Sequence, residues 1–136
     1  MATPFQITLD CRDAAAMARF WSVALGYVEE PPPAGYLSWP DFLRANDIPE
    51  PAAGSISAIV DPAGVGPRVL FLRVPEPKTV KNRVHLDIRA GRSDADKQAK
   101  VAELLDAGAT EIRRVEEHHN WWIVMADPEG NEFCVT

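Results

Sequence analysis

Three side chains spaced two apart, His85, Asp87 and Arg89, concentrate the chemistry of this 136-residue chain. Alternate residues of an extended strand share a face, so imidazole, carboxylate and guanidinium point the same way. An imidazole beside a carboxylate is the arrangement of a general base or acid, the carboxylate fixing the ring while the ring moves a proton. The same alternation groups Gln6, Thr8 and Asp10 on one face of an N-terminal strand, and Glu132 with Cys134 on one face of the last strand. His85, Asp87 and Glu132 are therefore the candidate catalytic groups. Gln6, Thr8, Asp10, His85, Arg89 and Cys134 are the candidate ligand contacts. Such a set also suits simple ligand binding, and the sequence does not separate the two. The remaining histidines, His118 and His119, are adjacent in sequence between Glu116-Glu117 and Asn120. Adjacent strand residues point opposite ways, and this pair reads as a solvated hairpin turn.

The elements that must carry these residues occur twice. Residues 5–26 give a short alternating strand, then Asp13 as helix N-cap, then Met17, Phe20, Trp21, Ala24 and Leu25 at the spacing of a buried helical stripe, then Gly26 as the stop. Residues 84–108 repeat the order, with Ser93 and Asp96 as a capping box, a stripe of Val101, Leu104 and Leu105, and Gly108 as the stop. An internal repeat fixes the architecture before any other reading. Two copies, each followed by strand-like runs, predict a βαβββ module twice over, at about 4–74 and about 83–136, within one domain spanning 1–136. Asp10 and Arg89 hold equivalent places in the two copies, where they can pair. The spacing predicts strands at 55–60, 68–74, 83–89, 110–115, 121–126 and 132–136. Residues 30–53 are rich in proline and read as loop with one edge strand at 36–39. In it Tyr36, Trp39 and Phe42 are either a lid over a cavity or, the preferred reading, ordinary apolar anchors. Trp21 reads as core, and residues 75–82 as the crossover between modules.

Composition bounds the partners. The net charge of −6 gives no basic stripe for phosphates, so no nucleic acid is expected. No apolar run of membrane-spanning length and no secretory leader is read, which predicts a cytoplasmic protein with no membrane partner. Cys11 and Cys134 read as free thiols.

The motifs in this order resemble the vicinal oxygen chelate superfamily, in its glyoxalase-like branch (the glyoxalase/bleomycin resistance protein/dioxygenase type). The carriers are Leu9-Asp10-Cys11, Asp13, Arg19-Phe20-Trp21 and Leu25-Gly26 in the first copy, and Val74-Pro75-Glu76-Pro77-Lys78 in the crossover. His85-Leu86-Asp87-Ile88 and the closing run ADPEGNEFCV at 126–135 complete the set, which covers residues 5–135. The resemblance implies an α+β fold, two βαβββ modules with sheets curled around a shared cleft and helices outside, and a homodimer. It implies a small-molecule ligand in the cup between modules. In metal-dependent relatives a divalent cation is held there by four donors, one each on the first, fourth, fifth and eighth strands. Here those places fall on Gln6, on the donor-free run Leu70-Phe71-Leu72, on His85 and on Cys134. A divalent metal stays open, with Gln6, His85 and Cys134 as remnant positions, but none is assigned. Three functions follow in order of preference: a protein acting on or binding a small oxygenated metabolite without the four-donor metal site, lyase- or isomerase-like if an enzyme; a non-catalytic binder that sequesters an antibiotic-like compound; and a metal-dependent lyase or dioxygenase.

Overall fold

The computed structural model describes all 136 residues. The first module runs β1 (Ile7–Cys11), α1 (Ala14–Leu25), β2 (Val28–Glu29), α2 (Trp39–Ala45), β3 (Ile56–Val60) and β4 (Val69–Arg73). The second runs β5 (Asp87–Ile88), α3 (Asp94–Asp106), β6 (Thr110–Glu117), β7 (Asn120–Ala126) and β8 (Glu132–Val135). Each module makes one four-stranded sheet, in the orders β1-β4-β3-β2 and β5-β8-β7-β6. In both, the first strand lies parallel to the last and the other neighbours are antiparallel. A parallel first strand needs a helical crossover to return the chain, which is what α1 and α3 supply. The sequence repeat is thus a repeat of topology. The fold is α+β, and the two sheets do not close into a barrel. No helix is long and apolar enough to cross a membrane.

Local signals set both main helices. The Asp13 side chain accepts the Ala16 N–H at 3.0 Å, and Gly26 ends α1 in the left-handed conformation at φ 68°. In α3 the reciprocal capping box forms as read, the Ser93 hydroxyl accepting the Asp96 N–H and the Asp96 carboxylate accepting the Ser93 N–H, each at 3.1 Å.

Three elements differ from the sequence reading. Residues 36–39 make no strand: Ser38 caps a short helix, its hydroxyl accepting the Asp41 N–H at 3.2 Å, with Pro40 in the first turn. The edge of the first sheet is β2 instead, next to β3. The strand read at 83–89 forms a ladder only at Asp87–Ile88, opposite Cys134 and Val135 of β8. On α3, Leu104 is fully buried but Leu105 is exposed, and Lys97 takes an inward place. The Lys97 ammonium donates to the Trp121 carbonyl at 2.7 Å and to Asn120 Oδ1 at 2.9 Å, and lies over the Trp121 ring. A buried ammonium with these acceptors and an aromatic face meets the demand that buried charges be partnered.

One apolar core joins the modules. Phe20 and Trp21 of α1 pack on Phe133 of β8, with ring centroids 5.9 and 5.3 Å apart. Asp127, in the turn between β7 and β8, is 3% exposed and accepts from Trp21 Nε1 at 3.1 Å, Glu129 N at 2.9 Å, Asn131 N at 3.0 Å and Asn131 Nδ2 at 2.9 Å. From the same turn the Glu129 carboxylate accepts the backbone N–H groups of Arg12 and Asp13, at 2.6 and 3.0 Å, where β1 hands over to α1. The crossover is tied down by Glu132, whose carboxylate accepts Asn82 N at 2.9 Å and Lys78 Nζ at 3.3 Å.

Two outcomes follow. Asp127→Ala leaves the Trp21 indole and the turn amides without their acceptor in a buried place, which lowers folding stability by about 3 kcal/mol in urea denaturation. Trp21→Phe, which removes one donor and keeps an aromatic ring, costs about 1 kcal/mol. The Asn82 N–H and then the Lys78 ammonium hold the Glu132 carboxyl below its ordinary value of 4.5. A carboxylate held down on folding stabilises the native state above its unfolded pKa, and that contribution is lost as pH falls through the lower folded value. Asp61 and Asp96 shift the same way. Glu132→Gln should therefore reduce, without abolishing, the fall in urea midpoint between about pH 6 and about pH 3. It should also quicken amide exchange at Asn82 at neutral pH.

Candidate functional site

β1 and β5 are the outer strands of their sheets, and a cavity of about 860 Å³ lies along β1 and the segment leading into β5. All five residues of β1 line it. So do the crossover from Val74 through Leu86, apart from a few positions, Glu129 and Asn131 of the β7–β8 turn, and Glu132 at the start of β8. That volume is in the range of small-molecule sites. Ile7, Leu9, Val74, Val80, Val84 and Leu86 supply apolar wall, and Trp21 reaches it from below. Asp10, Glu76, Lys78, Lys81, Arg83 and His85 supply charged or titratable groups.

Of the residues singled out in the sequence, Thr8, Asp10, His85 and Glu132 line this cavity. Asp87 and Cys134 stand beside His85: a ring nitrogen, a carboxylate oxygen and Sγ lie within 4.8 Å of one another. Gln6 and Arg89 do not line it. The Gln6 amide oxygen accepts from Arg68 Nη1 at 3.2 Å, and Arg68 is itself held by Glu30 at 2.7 Å. Asp10 and Arg89 form no ion pair. Both are exposed, Asp10 on β1 and Arg89 just after β5, so the repeat makes them equivalent without making them neighbours.

His85 Nδ1 lies 2.9 Å from Asp87 Oδ1, with the two side chains 44% and 51% exposed. A carboxylate only accepts, so Nδ1 carries the proton of the neutral ring and Nε2 is left as an acceptor or base. Cys134 faces Asp87 across the β5–β8 ladder. Burial raises its thiol pKa, and the Asp87 charge and hydrogen bond raise it further, against Lys81 and Arg113. Cys11, buried at the other end of β1, is pushed to about 11, by burial first and by Glu129, Asp13 and Asp10 next. Neither thiol is a ready nucleophile, and both are free.

The four-donor cation site implied by the resemblance does not fit these residues. Gln6 is engaged by Arg68. Phe71 is fully buried in the core, and Leu70 and Leu72, on the other face of β4 by alternation, have no donor atom. Cys134 stands where the fourth ligand would be. Other tempting groups serve the fold. Tyr36, Trp39 and Phe42 stack on one another at 5.1 and 5.8 Å, and the Trp39 indole donates to the Glu30 carbonyl at 2.9 Å. None of the three lines the cavity, so the anchor reading holds. His118 and His119 form the β6–β7 turn with φ of 48° and 65°.

Sequence reasoning missed the rim. Lys78, Lys81, Asn82 and Arg83 lie in a crossover with no periodicity to read. Glu129 and Asn131 lie in a turn whose residues look merely turn-forming. The available signal was the length of the proline-punctuated crossover, since irregular segments of a compact domain often carry function.

Comparison with known proteins agrees with this architecture. The family model described as "Glyoxalase-like domain" matches residues 6–136. A comparison with curated proteins gives no match. Among solved structures, a glyoxalase/bleomycin resistance protein/dioxygenase family enzyme from Burkholderia phytofirmans superposes with a TM-score of 0.62 at 19% identity, over 96% of this chain and 94% of that one. The fosfomycin resistance protein FosX from Mesorhizobium loti gives 0.64 at 13% identity, over 99% and 90%. A mutant FosX from Listeria monocytogenes, complexed with Mn(II) and 1S,2S-dihydroxypropylphosphonic acid, gives 0.66 at 10% identity, over 99% and 91%. At such identities the superpositions speak for the fold, and the family match carries the assignment: this chain belongs to the glyoxalase-like domain family.

Proposed function

We propose that the protein binds a small oxygenated metabolite in the cavity beside β1, with the His85–Asp87 pair as its polar anchor and proton-handling group. The observation that carries this is the pair itself. An imidazole sits on the cavity wall with Nδ1 held by a carboxylate at 2.9 Å, which leaves Nε2 to meet the ligand. Apolar wall from Leu9, Val80 and Leu86 suits the ligand's carbon skeleton, and Thr8 and Asp10 offer further polar contacts. The Listeria relative holds a dihydroxylated phosphonate, which supports an oxygenated ligand as the class. The reaction class consistent with one positioned acid/base is proton transfer next to an oxygen-bearing carbon, lyase- or isomerase-like. Nothing in it runs through a four-donor metal centre. A homodimer belongs to this reading by family membership, and light scattering decides it.

A second reading, sequestration without turnover, is favoured by the apolar share of the wall and by the exposure of the His85–Asp87 pair, which is not shielded from water. One experiment separates the two. A panel of small hydroxy and oxo compounds, with the methylglyoxal–glutathione adduct among them, is screened by melting-temperature shift, and each hit is assayed for turnover. Binding with turnover supports the enzyme, and binding alone supports the sequestering protein. For any hit, His85→Ala should weaken calorimetric affinity by about 1–3 kcal/mol, one to two decades in Kd. The melting temperature should stay near that of the parent, because the His85 side chain is 44% exposed. Unchanged affinity would remove His85 from the site.

A further inference from the structure

We infer that the ligand of the cavity is a hydroxy or oxo carboxylic acid, bound as its singly charged anion by Lys81 and Arg83, with the oxygen on the neighbouring carbon turned towards His85. The inference deepens the reading above, on which it rests for the place of the site. It adds the charge of the ligand and the end-to-end direction in which it lies.

The crossover segment 80–84 reads Val-Lys-Asn-Arg-Val, and all five residues line the cavity. Its middle is pinned to the start of β8. The Asn82 N–H donates to the Glu132 carboxylate at 2.9 Å, and Asn82 Oδ1 accepts the Glu132 N–H at 3.3 Å. The two cations that flank Asn82 are thereby held at the cavity wall. Of the three crossover cations on that wall, Lys78 is paired with Glu132 at 3.3 Å, while Lys81 and Arg83 form no ion pair. An unpaired cation on open surface means little, because exposed pairs are worth little. Two of them on one cavity wall are a place for an anion, and the guanidinium fork matches a carboxylate in particular. Val80 and Val84, at either end of the segment, are 74% and 81% exposed. Apolar side chains left in water beside cations suit an anion with a carbon skeleton, not an inorganic ion.

Charge and position narrow the class. The net charge of −6 is screened beyond about 8 Å at physiological ionic strength, so contact charges decide. Among the carboxylates of the wall, Glu132 is met by Lys78, and Glu129 is held by the N–H groups of Arg12 and Asp13. Asp10 and Glu76 remain unpaired. These acids disfavour a dianion such as a phosphate monoester and leave the singly charged carboxylate. Lys81 stands at the His85 end of the cavity. Burial first, and then Asp87, raise the Cys134 thiol pKa, and the Lys81 ammonium works against them. That thiol lies within 4.8 Å of the His85–Asp87 pair. A carboxylate on Lys81 and Arg83 therefore brings the next carbon, with its oxygen, towards the free Nε2 of His85.

The test titrates the full chain by calorimetry with mandelate, 2-hydroxyhexanoate and 2-oxohexanoate, with the amide of each, and with hexyl phosphate. At least one acid is expected to bind once per chain, more tightly than its amide and than hexyl phosphate, and to weaken as salt rises from about 0.05 to about 0.5 M. Lys81→Gln and Arg83→Gln should each weaken that acid by about fivefold and leave the amide unmoved. Arg19→Gln, an exposed cation of α1 outside the cavity, should bind as the parent does. Lys81 and Arg83 are exposed, so their variants should fold, as melting curves would report. An acid bound no better than its amide, tighter binding of hexyl phosphate, indifference to both substitutions, or no uptake of any acid would each overturn the inference. Amides whose binding falls in His85→Ala but not in Lys81→Gln or Arg83→Gln would leave the ligand site standing and remove the carboxylate. Acid binding that depends on Lys81 and Arg83 but not on His85 would support the carboxylate and count against the role given to His85 alone.

Discussion

The architecture turns on one buried carboxylate. Asp127 is almost wholly removed from water, and burial drives its pKa up against the donors that gather round it. A carboxylate in that position is tolerated only when its lone pairs are met. Meeting them dictates a great deal. The amides of Glu129 and Asn131 must curl back over it, which closes the turn, and the Trp21 indole must reach it from the other module. Once Trp21 is committed, its ring meets Phe133 at 5.3 Å and α1 is fixed across the junction. Once the turn is closed, Glu129 lands on the free N–H groups of Arg12 and Asp13, ahead of α1, where an anionic group is favoured. β1 and the start of β8 are thereby held close, and the cavity is the space that remains beside them.

Legibility followed the range of the forces. Asp13, Gly26 and the Ser93–Asp96 box act within one helical turn, and they could be read because a cap needs nothing from the rest of the chain. The strands with clean alternation were equally plain. The failures lie where a distant partner decides. Residues 36–39 carry aromatics that suit a strand, yet the same residues hold a cap, Ser38, and a first-turn proline, Pro40. No strand of the sheet pairs with them, and the local helix forms. On α3, hydropathy placed Leu105 inside, and the structure exposes it. Lys97 is buried instead, because it finds a carbonyl, an amide and an indole face on β7 that no local pattern could announce.

The same distinction runs through the site. Period two in β5 was enough to put His85 beside Asp87, and the ladder then put Cys134 opposite Asp87. The equivalence of Gln6 and His85 under the repeat was also legible. Their inequality was not, since it arises from Arg68, sixty-two positions from Gln6 in the chain, and from the Glu30 that holds it. Glu132 carries the same lesson. Its place on the face of Cys134 marked it as a candidate catalytic acid, while in the folded chain its carboxylate is engaged by Asn82 and Lys78 and serves to hold the crossover against the second module.

This gives the two modules unequal parts in one cavity. The first offers a wall, β1, in which Ile7, Leu9 and Cys11 pack against the core as well as lining the cavity, while Thr8 and Asp10 are its exposed polar side chains. The second offers the nitrogen, oxygen and sulfur donors, gathered on two adjacent strands. A symmetrical site would require both copies of the repeat to keep their polar groups unspent. Here the first copy has spent Gln6 on the Arg68–Glu30 pair, and β4 has only leucines on the face where a donor would have to stand. A cation site that needs a donor on β4 is thus denied to this chain by the composition of that strand. Chemistry that needs a single oriented imidazole, backed by Asp87 and reached past a rim of Lys78 and Arg83, is what the asymmetry leaves in place.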